Sequence, residues 1–340
     1  MTFFKATALA TLLAQAVFSQ TALAQSDATM SPAPVLATQQ VAGFYHQPLG
    51  KFQVTALYDG YVKLPVAAFQ ADKAINVTQF LADHAIKTSD GVQTAVNAYL
   101  VNTGKNLVLV DSGAAKCFGE TLGSIQDNLQ AAGYQPSQVT HVLLTHLHPD
   151  HACGIRTADG NKAFANATVY VDKTEADFWL DAKNLSKFPQ DKQSLLAGAF
   201  PAASAAVAPY LVSGQFKTYQ AGDQIVDGIK IVPSYGHTIA HTSYAVESEG
   251  ARLVILGDVV HNHAIQFEHP ETSFVFDYDP VKAVATRQVL FQDVAKQGDL
   301  VGGAHLPFPG LGHIRAVAAG QFDWIPVEYS PIITPAVQPK

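Results

Sequence analysis

The chain has little charge and almost no sulfur. Asp, Glu, Lys and Arg make up 14% of its 340 residues, with 21 basic against 28 acidic side chains and a formal net charge of −7. Nucleic-acid binding needs clustered Lys and Arg to neutralise phosphates, and no such stripe exists here, which excludes polyanionic partners. Two cysteines, Cys117 and Cys153, are too few for a disulfide framework. They can pair with one another or stay as free thiols, and the distance between their Cα atoms decides which. The Gly-x-Ser-x-Gly elbow is missing, and neither cysteine stands in a convincing Cys-His arrangement, so no protein nucleophile is in view.

What is present begins at the N-terminus. Residues 1–24 carry Lys5, an apolar segment from Ala6 to Phe18, and Ala22-Leu23-Ala24. This is the layout of a secretory signal peptide cleaved after Ala24, and it predicts a periplasmic or secreted protein. Gln15 and Gln20 interrupt the apolar segment, which falls short of the ~20 residues that span a bilayer, so no stable membrane anchor is expected. Nothing else in the mature chain reads as a hydrophobic span. Residues 25–40, mainly Ser, Ala, Pro, Gln and Thr, read as a flexible N-terminal arm. A single domain is expected over 41–340.

Residues 145–151 read Thr-His-Leu-His-Pro-Asp-His, directly after the apolar run Val142 to Leu144. His146 and His148, two apart at a strand end, can face the same ion. Pro149 cannot continue a ladder and forces a turn, after which Asp150 and His151 reach a second point in space. One segment can therefore serve two metals. Imidazole and carboxylate together suit zinc and neighbouring divalent ions better than calcium or magnesium. Three further candidates follow apolar runs: His237 after Ile229 to Val232, Asp258 after Leu253 to Leu256, and His305 after Leu300 to Ala304. Strand ends are where active-site residues of layered α/β proteins collect.

Taken in order, Asp111-Ser112-Gly113, the HxHxDH core at 146–151, Gly236-His237-Thr238, Asp258 and His305 resemble the metallo-β-lactamase superfamily of hydrolases. The resemblance implies that His146, His148 and His237 hold one metal, that Asp150, His151 and His305 hold the other, and that Asp258 bridges them. It implies two divalent ions, taken as zinc, with Asp111 orienting a ligand histidine. Gly43-Phe44-Tyr45, Ala56 to Gly60, Ala98 to Gly113, Ala176 to Leu180 and Phe308 to Arg315 resemble the methyl parathion hydrolase-like branch, which implies a homodimer.

The remaining pattern predicts an αββα sandwich of two mainly antiparallel sheets flanked by helices. Phe52 to Leu64 reads as a hairpin turning at Asp59-Gly60. A second hairpin joins 96–101 to 107–110, making the first sheet antiparallel. Leu122, Ile125, Leu129 and Ala132 recur at helical spacing within 118–132, and Gly133 stops the helix. Thr174 is the expected N-cap of the next helix. The Ala-rich stretch 190–212, with Pro201 and Pro209, reads as a broken helical segment, and 281–295 as a final helix.

Two divalent ions sharing Asp258 would share a water whose pKa a metal can lower from 15.7 to about 7, so the expected nucleophile is hydroxide. The segment 322–340 does not resemble the basic C-terminal region of glyoxalase-type members. His148 stands where di-iron oxygen reductases place Glu, and true β-lactamases of the superfamily lack the bridging Asp. Lactonases, aryl esterases and phosphotriesterases remain. His261 stands where N-acyl homoserine lactonases of the superfamily place a tyrosine. It could hydrogen-bond a lactone carbonyl or protonate a departing alkoxide, or be a surface histidine. Asp150, Asp258 and His261 are thus the candidate catalytic residues. Phe118, Trp179, Phe274 and Phe276 are read as an aromatic-lined substrate pocket, with ordinary core packing as the alternative. The expectation is an exported dinuclear zinc hydrolase of lactones or aryl esters, acting on small neutral substrates and secondarily on organophosphate triesters. A dedicated phosphotriesterase and a non-catalytic metal-binding protein on the same fold are the alternatives.

Overall fold

Two sheets stack face to face in the computed structural model, which describes residues 35–38 and 40–332. The expected signal peptide and most of the expected arm lie outside the described residues. The described residues from Ala42 to Ile332 fold as one unit. The first sheet uses β1 (Phe44–Leu49), β2 (Phe52–Leu64), β4 (Val92–Asn102), β5 (Leu107–Val110), β6 (His141–Leu143), β7 (Thr168–Asp172) and β8 (Phe216–Tyr219), in that spatial order. The second uses β9 (Ile229–Pro233), β10 (Thr242–Ser248), β11 (Ala251–Gly257), β13 (Leu300–Gly303), β14 (Leu311–Ala318) and β15 (Gln321–Pro326), in the order β15-β14-β13-β11-β10-β9. Short strands β3 (Phe69–Gln70) and β12 (Ser273–Phe274) pair separately.

Apolar residues from both inner faces fill the space between the sheets, with Val54, Tyr99, Val101 and Val110 meeting Tyr244, Val246, Leu253 and Ile255. The outer face of the first sheet carries Leu109, Val142 and Val169 under Leu129, Phe178 and Val207, which come from helices. On the far side Val254, Leu256 and Val301 lie under Leu290, Phe291 and Val294 of the C-terminal helix. Alternation on the central strands thus buries both faces of both sheets, which is the αββα layering.

The first sheet departs from the all-antiparallel expectation. β1, β2, β4 and β5 pair antiparallel, but β5-β6, β6-β7 and β7-β8 are parallel. Parallel neighbours need crossovers, and helical segments supply them. Asp59-Gly60 is also not a turn. β2 runs through it and pairs with β4 along its whole length, with a register shift between Tyr58 and Gly60. The bulge frees the buried Asp59 carboxylate to accept the backbone N–H of Ala114 at 2.9 Å and of Ile125 at 3.2 Å. Gly60 has φ +140°, and a Cβ there would stand 1.8 Å from the Thr121 carbonyl. The same carboxylate shortens the helix expected at 118–132. It caps the chain at Ile125, so the helix is Ile125–Ala131, while Gly119 and Gly123 at positive φ leave 117–124 unwound.

Asp172 rather than Thr174 caps the next helix, Lys173–Trp179, accepting the Thr174 N–H at 2.7 Å. The Ala-rich stretch breaks at Ala197-Gly198 and not at a proline, giving helices Gln190–Leu196 and Ala199–Val212. By length and composition this stretch could cross a membrane, a property not anticipated above. Here Phe200, Ala203, Val207 and Tyr210 pack into the core. The final helix is Pro280–Gln297, capped by Asp279 and ended by Gly298 in the left-handed region. Cys117 and Cys153, left open by sequence, form a disulfide with Cα atoms 6.3 Å apart.

Candidate metal centre

The candidate ligands converge where several strands exit toward the same edge. β5 ends at Val110, and Asp111 follows in the left-handed region with φ +58°. Its carboxylate accepts the Thr145 N–H at 2.8 Å and the Thr145 hydroxyl at 2.9 Å, which pins the loop leaving β6. That loop carries His146 and His148, and Pro149 then opens the short helix Pro149–Ala152 that carries Asp150 and His151. His237 lies between β9 and β10, Asp258 follows β11, and His305 follows β13.

His146, His148, His237 and Asp258 form one group whose donor atoms lie within 4.8 Å of one another, and Asp150, His151 and His305 form a second. Asp258 faces both. Its Oδ2 is 3.2 Å from His237 Nε2 and 3.7 Å from His146 Nε2. Its Oδ1 is 2.9 Å from His151 Nε2 and 3.1 Å from His305 Nε2. One carboxylate oxygen per cluster is the arrangement a bridging ligand needs. His146 Nε2, His151 Nε2 and Asp258 Oδ1 are buried without a hydrogen-bond partner. Such donors are costly to leave unpaired, and nitrogen with carboxylate oxygen is the donor set of zinc-like ions.

The electrostatics fit the same picture. Burial alone would push every imidazole down, and His146 and His148 do lie well below their usual value, helped by neighbouring imidazoles. At His151 that burial is outweighed by the Asp258, Asp150 and Asp111 carboxylates, which hold it well above. His237, buried but facing Asp258 and Asp277, is pushed up to about 9. Burial opposes charge on Asp258, yet His151 and His305 hold it well below the carboxylate range. Buried carboxylates here need positive charge beside them, and divalent cations would displace the protons that otherwise supply it.

Three of the ligand imidazoles are held from behind. Asp111 accepts from His151 Nδ1 at 2.9 Å, the Ala95 carbonyl from His305 Nδ1 at 2.8 Å, and Asp277 from His237 Nδ1 at 3.0 Å. Asp277 also accepts the Phe274 N–H at 2.7 Å. Sequence reasoning missed Asp277, because no local pattern marks an acid 40 residues from its partner. Glu175 was missed for the same reason. It is buried, accepts Leu147 N–H, Thr238 hydroxyl and Ala240 N–H, and joins the loops of His148 and His237. Burial pushes it up to about 7 against those hydrogen bonds. Asp277→Ala is expected to weaken zinc binding by about 10–100-fold, measured by competition with a chromophoric chelator. Unchanged affinity would show that His237 needs no carboxylate behind it.

A cavity of about 180 Å³ opens above the cluster. Val62, Leu64, Phe118, Leu195, Phe274 and Phe276 are among its walls, and the ionisable groups lining it are His148, Asp150, His237, Asp258, His261 and His305, all at its floor. Phe118 stands at the mouth, 44% exposed. Trp179 does not line the cavity, contrary to expectation. It is 1% exposed and packs edge-on against the His148 ring, 4.8 Å between centroids, among Phe178, Phe188 and Phe200. The helix tethered by Glu175 turns the indole inward, behind the ligand. His261 is not a surface residue: it is 2% exposed, stacked 3.9 Å on Phe274, with Nε2 3.2 Å from Asp258 Oδ2. Burial pushes it down to about 4 against the pull of Asp258, so the ring is neutral.

An αββα sandwich whose floor groups two imidazole clusters around one aspartate defines a metal-dependent hydrolase. Residues 91–308 match the family model of the Metallo-beta-lactamase superfamily. The chain belongs to that superfamily. A solved structure of the hydrolase AbOPH in the beta lactamase superfamily is 46% identical with a TM-score of 0.83, covering 86% of this chain and all of that one. The dizinc quorum-quenching lactonase AidC is 28% identical with a TM-score of 0.77, covering 85% of this chain and 99% of that one. Among curated relatives, the N-acyl homoserine lactonase AiiA of Bacillus thuringiensis subsp. kurstaki is 24% identical over 226 residues, which is 61% of this chain and 79% of the relative.

Proposed function

We propose that the protein is an exported dinuclear zinc hydrolase that opens lactones or cleaves aryl esters, with organophosphate triesters as side substrates. His146, His148 and His237 would hold one ion, Asp150, His151 and His305 the other, and Asp258 both. A divalent ion in such a site lowers the pKa of water to about 7 and polarises an ester or phosphoryl oxygen. His261, neutral and fixed by its stack on Phe274, offers its Nε2–H beside Asp258 to a substrate oxygen. Phe118, Phe274 and Phe276 hold the apolar part of the substrate and exclude water.

The observation that carries the reading is the contrast between an ionisable floor and walls without a charged side chain. A neutral apolar substrate leaves no unpaired charge buried there, whereas an anionic one would meet no cationic partner beyond the metals. The lactonase relatives support carbon over phosphorus as the reacting centre. Dihydrocoumarin, a nitrophenyl ester and a phosphotriester should be compared on one zinc-loaded preparation. Lactone or aryl-ester turnover is expected to exceed phosphotriester turnover by at least about tenfold, to vanish with chelator and to return with zinc. Preference for the phosphotriester would reverse the substrate assignment. Export rests on the pattern of residues 1–24, and a homodimer on the branch resemblance. N-terminal sequencing of the exported protein and its mass in solution test the two.

A further inference from the structure

The turn that presents Asp258 has no strand partner for its backbone. β11 and β13 lose register between Ile255 and Gly257, and Gly257 takes φ +57°, which lifts the next peptide off the ladder. A buried N–H left without an acceptor is costly. The acceptor is a side chain from elsewhere: His241 Nε2 receives the Asp258 N–H at 2.9 Å. The imidazole is buried and lies so close that a Cβ on Gly257 would stand 2.5 Å from its Nε2.

Accepting at Nε2 places the proton of a neutral ring on Nδ1. From there a directed chain closes around the turn. Nδ1–H faces Ser234 Oγ at 2.8 Å, Ser234 Oγ faces Ser243 Oγ at 2.9 Å, and the Ser243 hydroxyl donates to the Leu256 carbonyl at 3.0 Å. The chain begins at the N–H of the residue after Gly257 and ends at the carbonyl of the residue before it. It also joins the loop of His237, which runs from Ser234 to His241, to the turn of Asp258.

We propose that His241 is a positioning residue for the shared carboxylate: through Asp258 N–H it sets where both carboxylate oxygens point, and so the affinity of both metal positions. The inference rests on the two-metal reading above. Its test compares zinc binding to the purified full chain, by chelator competition, in the wild type, His241→Leu, His241→Gln and His241→Asn, with the melting temperature of each metal-free protein alongside. Gln can place an oxygen near the Nε2 position; Asn, one carbon shorter, reaches only the Nδ1 position.

The expected result is a loss of about 10–100-fold in zinc affinity for His241→Leu, with His241→Gln recovering most of it and His241→Asn recovering little. A purely structural role would lower the metal-free melting temperature without this Gln-against-Asn difference. Wild-type affinity in His241→Leu overturns the proposal. If His241→Leu does not fold, equal affinities for the Gln and Asn variants overturn it, and a Gln advantage supports it. A wild type that takes up no zinc overturns the two-metal reading itself, and this inference with it.

Discussion

Asp258→Ala is expected to abolish hydrolysis of ester, lactone and phosphotriester alike, by at least about 1000-fold, and to leave the protein with fewer than two tightly held zinc ions. The reason is geometric. Asp258 Oδ2 faces His237 and His146, while Oδ1 faces His151 and His305. Removing it takes one donor from each cluster at once, and also the negative charge that, against burial, raises the pKa of His151 and His237. No other carboxylate takes its place, since Asp150 approaches only His151 and His305, at 3.6 and 3.5 Å. Zinc content by elemental analysis and turnover of all three substrates should fall together. A variant that loses zinc yet keeps lactone turnover would remove the two-metal mechanism.

Arg287→Met is expected to lower the free energy of unfolding by about 3–5 kcal/mol, with a fall in Tm of roughly 10 °C. Arg287 lies on the final helix, 1% exposed, and makes its hydrogen bonds to backbone carbonyls. Its Nε donates to the Val259 carbonyl at 2.6 Å, and one terminal nitrogen donates to the Pro270 and Thr272 carbonyls, each at 2.7 Å. Burial pushes its pKa down to about 10, with Asp277 and Glu271 opposing from a distance. These bonds hold both ends of the segment that carries His261 and leads to Phe274. A methionine fills similar volume but leaves the carbonyls short of donors. Lysine should not rescue, because a single ammonium cannot reproduce the planar fork. Urea unfolding of the three proteins checks this. A shift of less than about 0.5 kcal/mol would show that other donors or water satisfy the segment.

Where local pattern and tertiary structure agree, the signal was short-range. The HxHxDH spacing, the apolar runs ending at His237, Asp258 and His305, and the terminal helix could all be read along the chain. Where they diverge, a distant partner intervened. Asp59-Gly60 carries the signal of a hairpin turn but serves as a bulge, because Ala114 and Ile125 N–H groups take up its carboxylate. Trp179 carries the signal of an aromatic wall but is turned inward behind His148. The parallel half of the first sheet was hidden because strand direction depends on crossovers and not on the strands' own residues.

By itself, the sequence determined the sandwich architecture and the residues able to gather two metal ions. Strand periodicity and ligand spacing are written within a few residues of each position. Only the tertiary structure decided that Asp258 turns one oxygen to each cluster, that Cys117 and Cys153 pair, and that Asp277, Glu175 and His241 support the site. Those relations join segments 17 or more residues apart, and their partners are chosen by packing and by the need to satisfy buried polar groups, neither of which leaves a local trace.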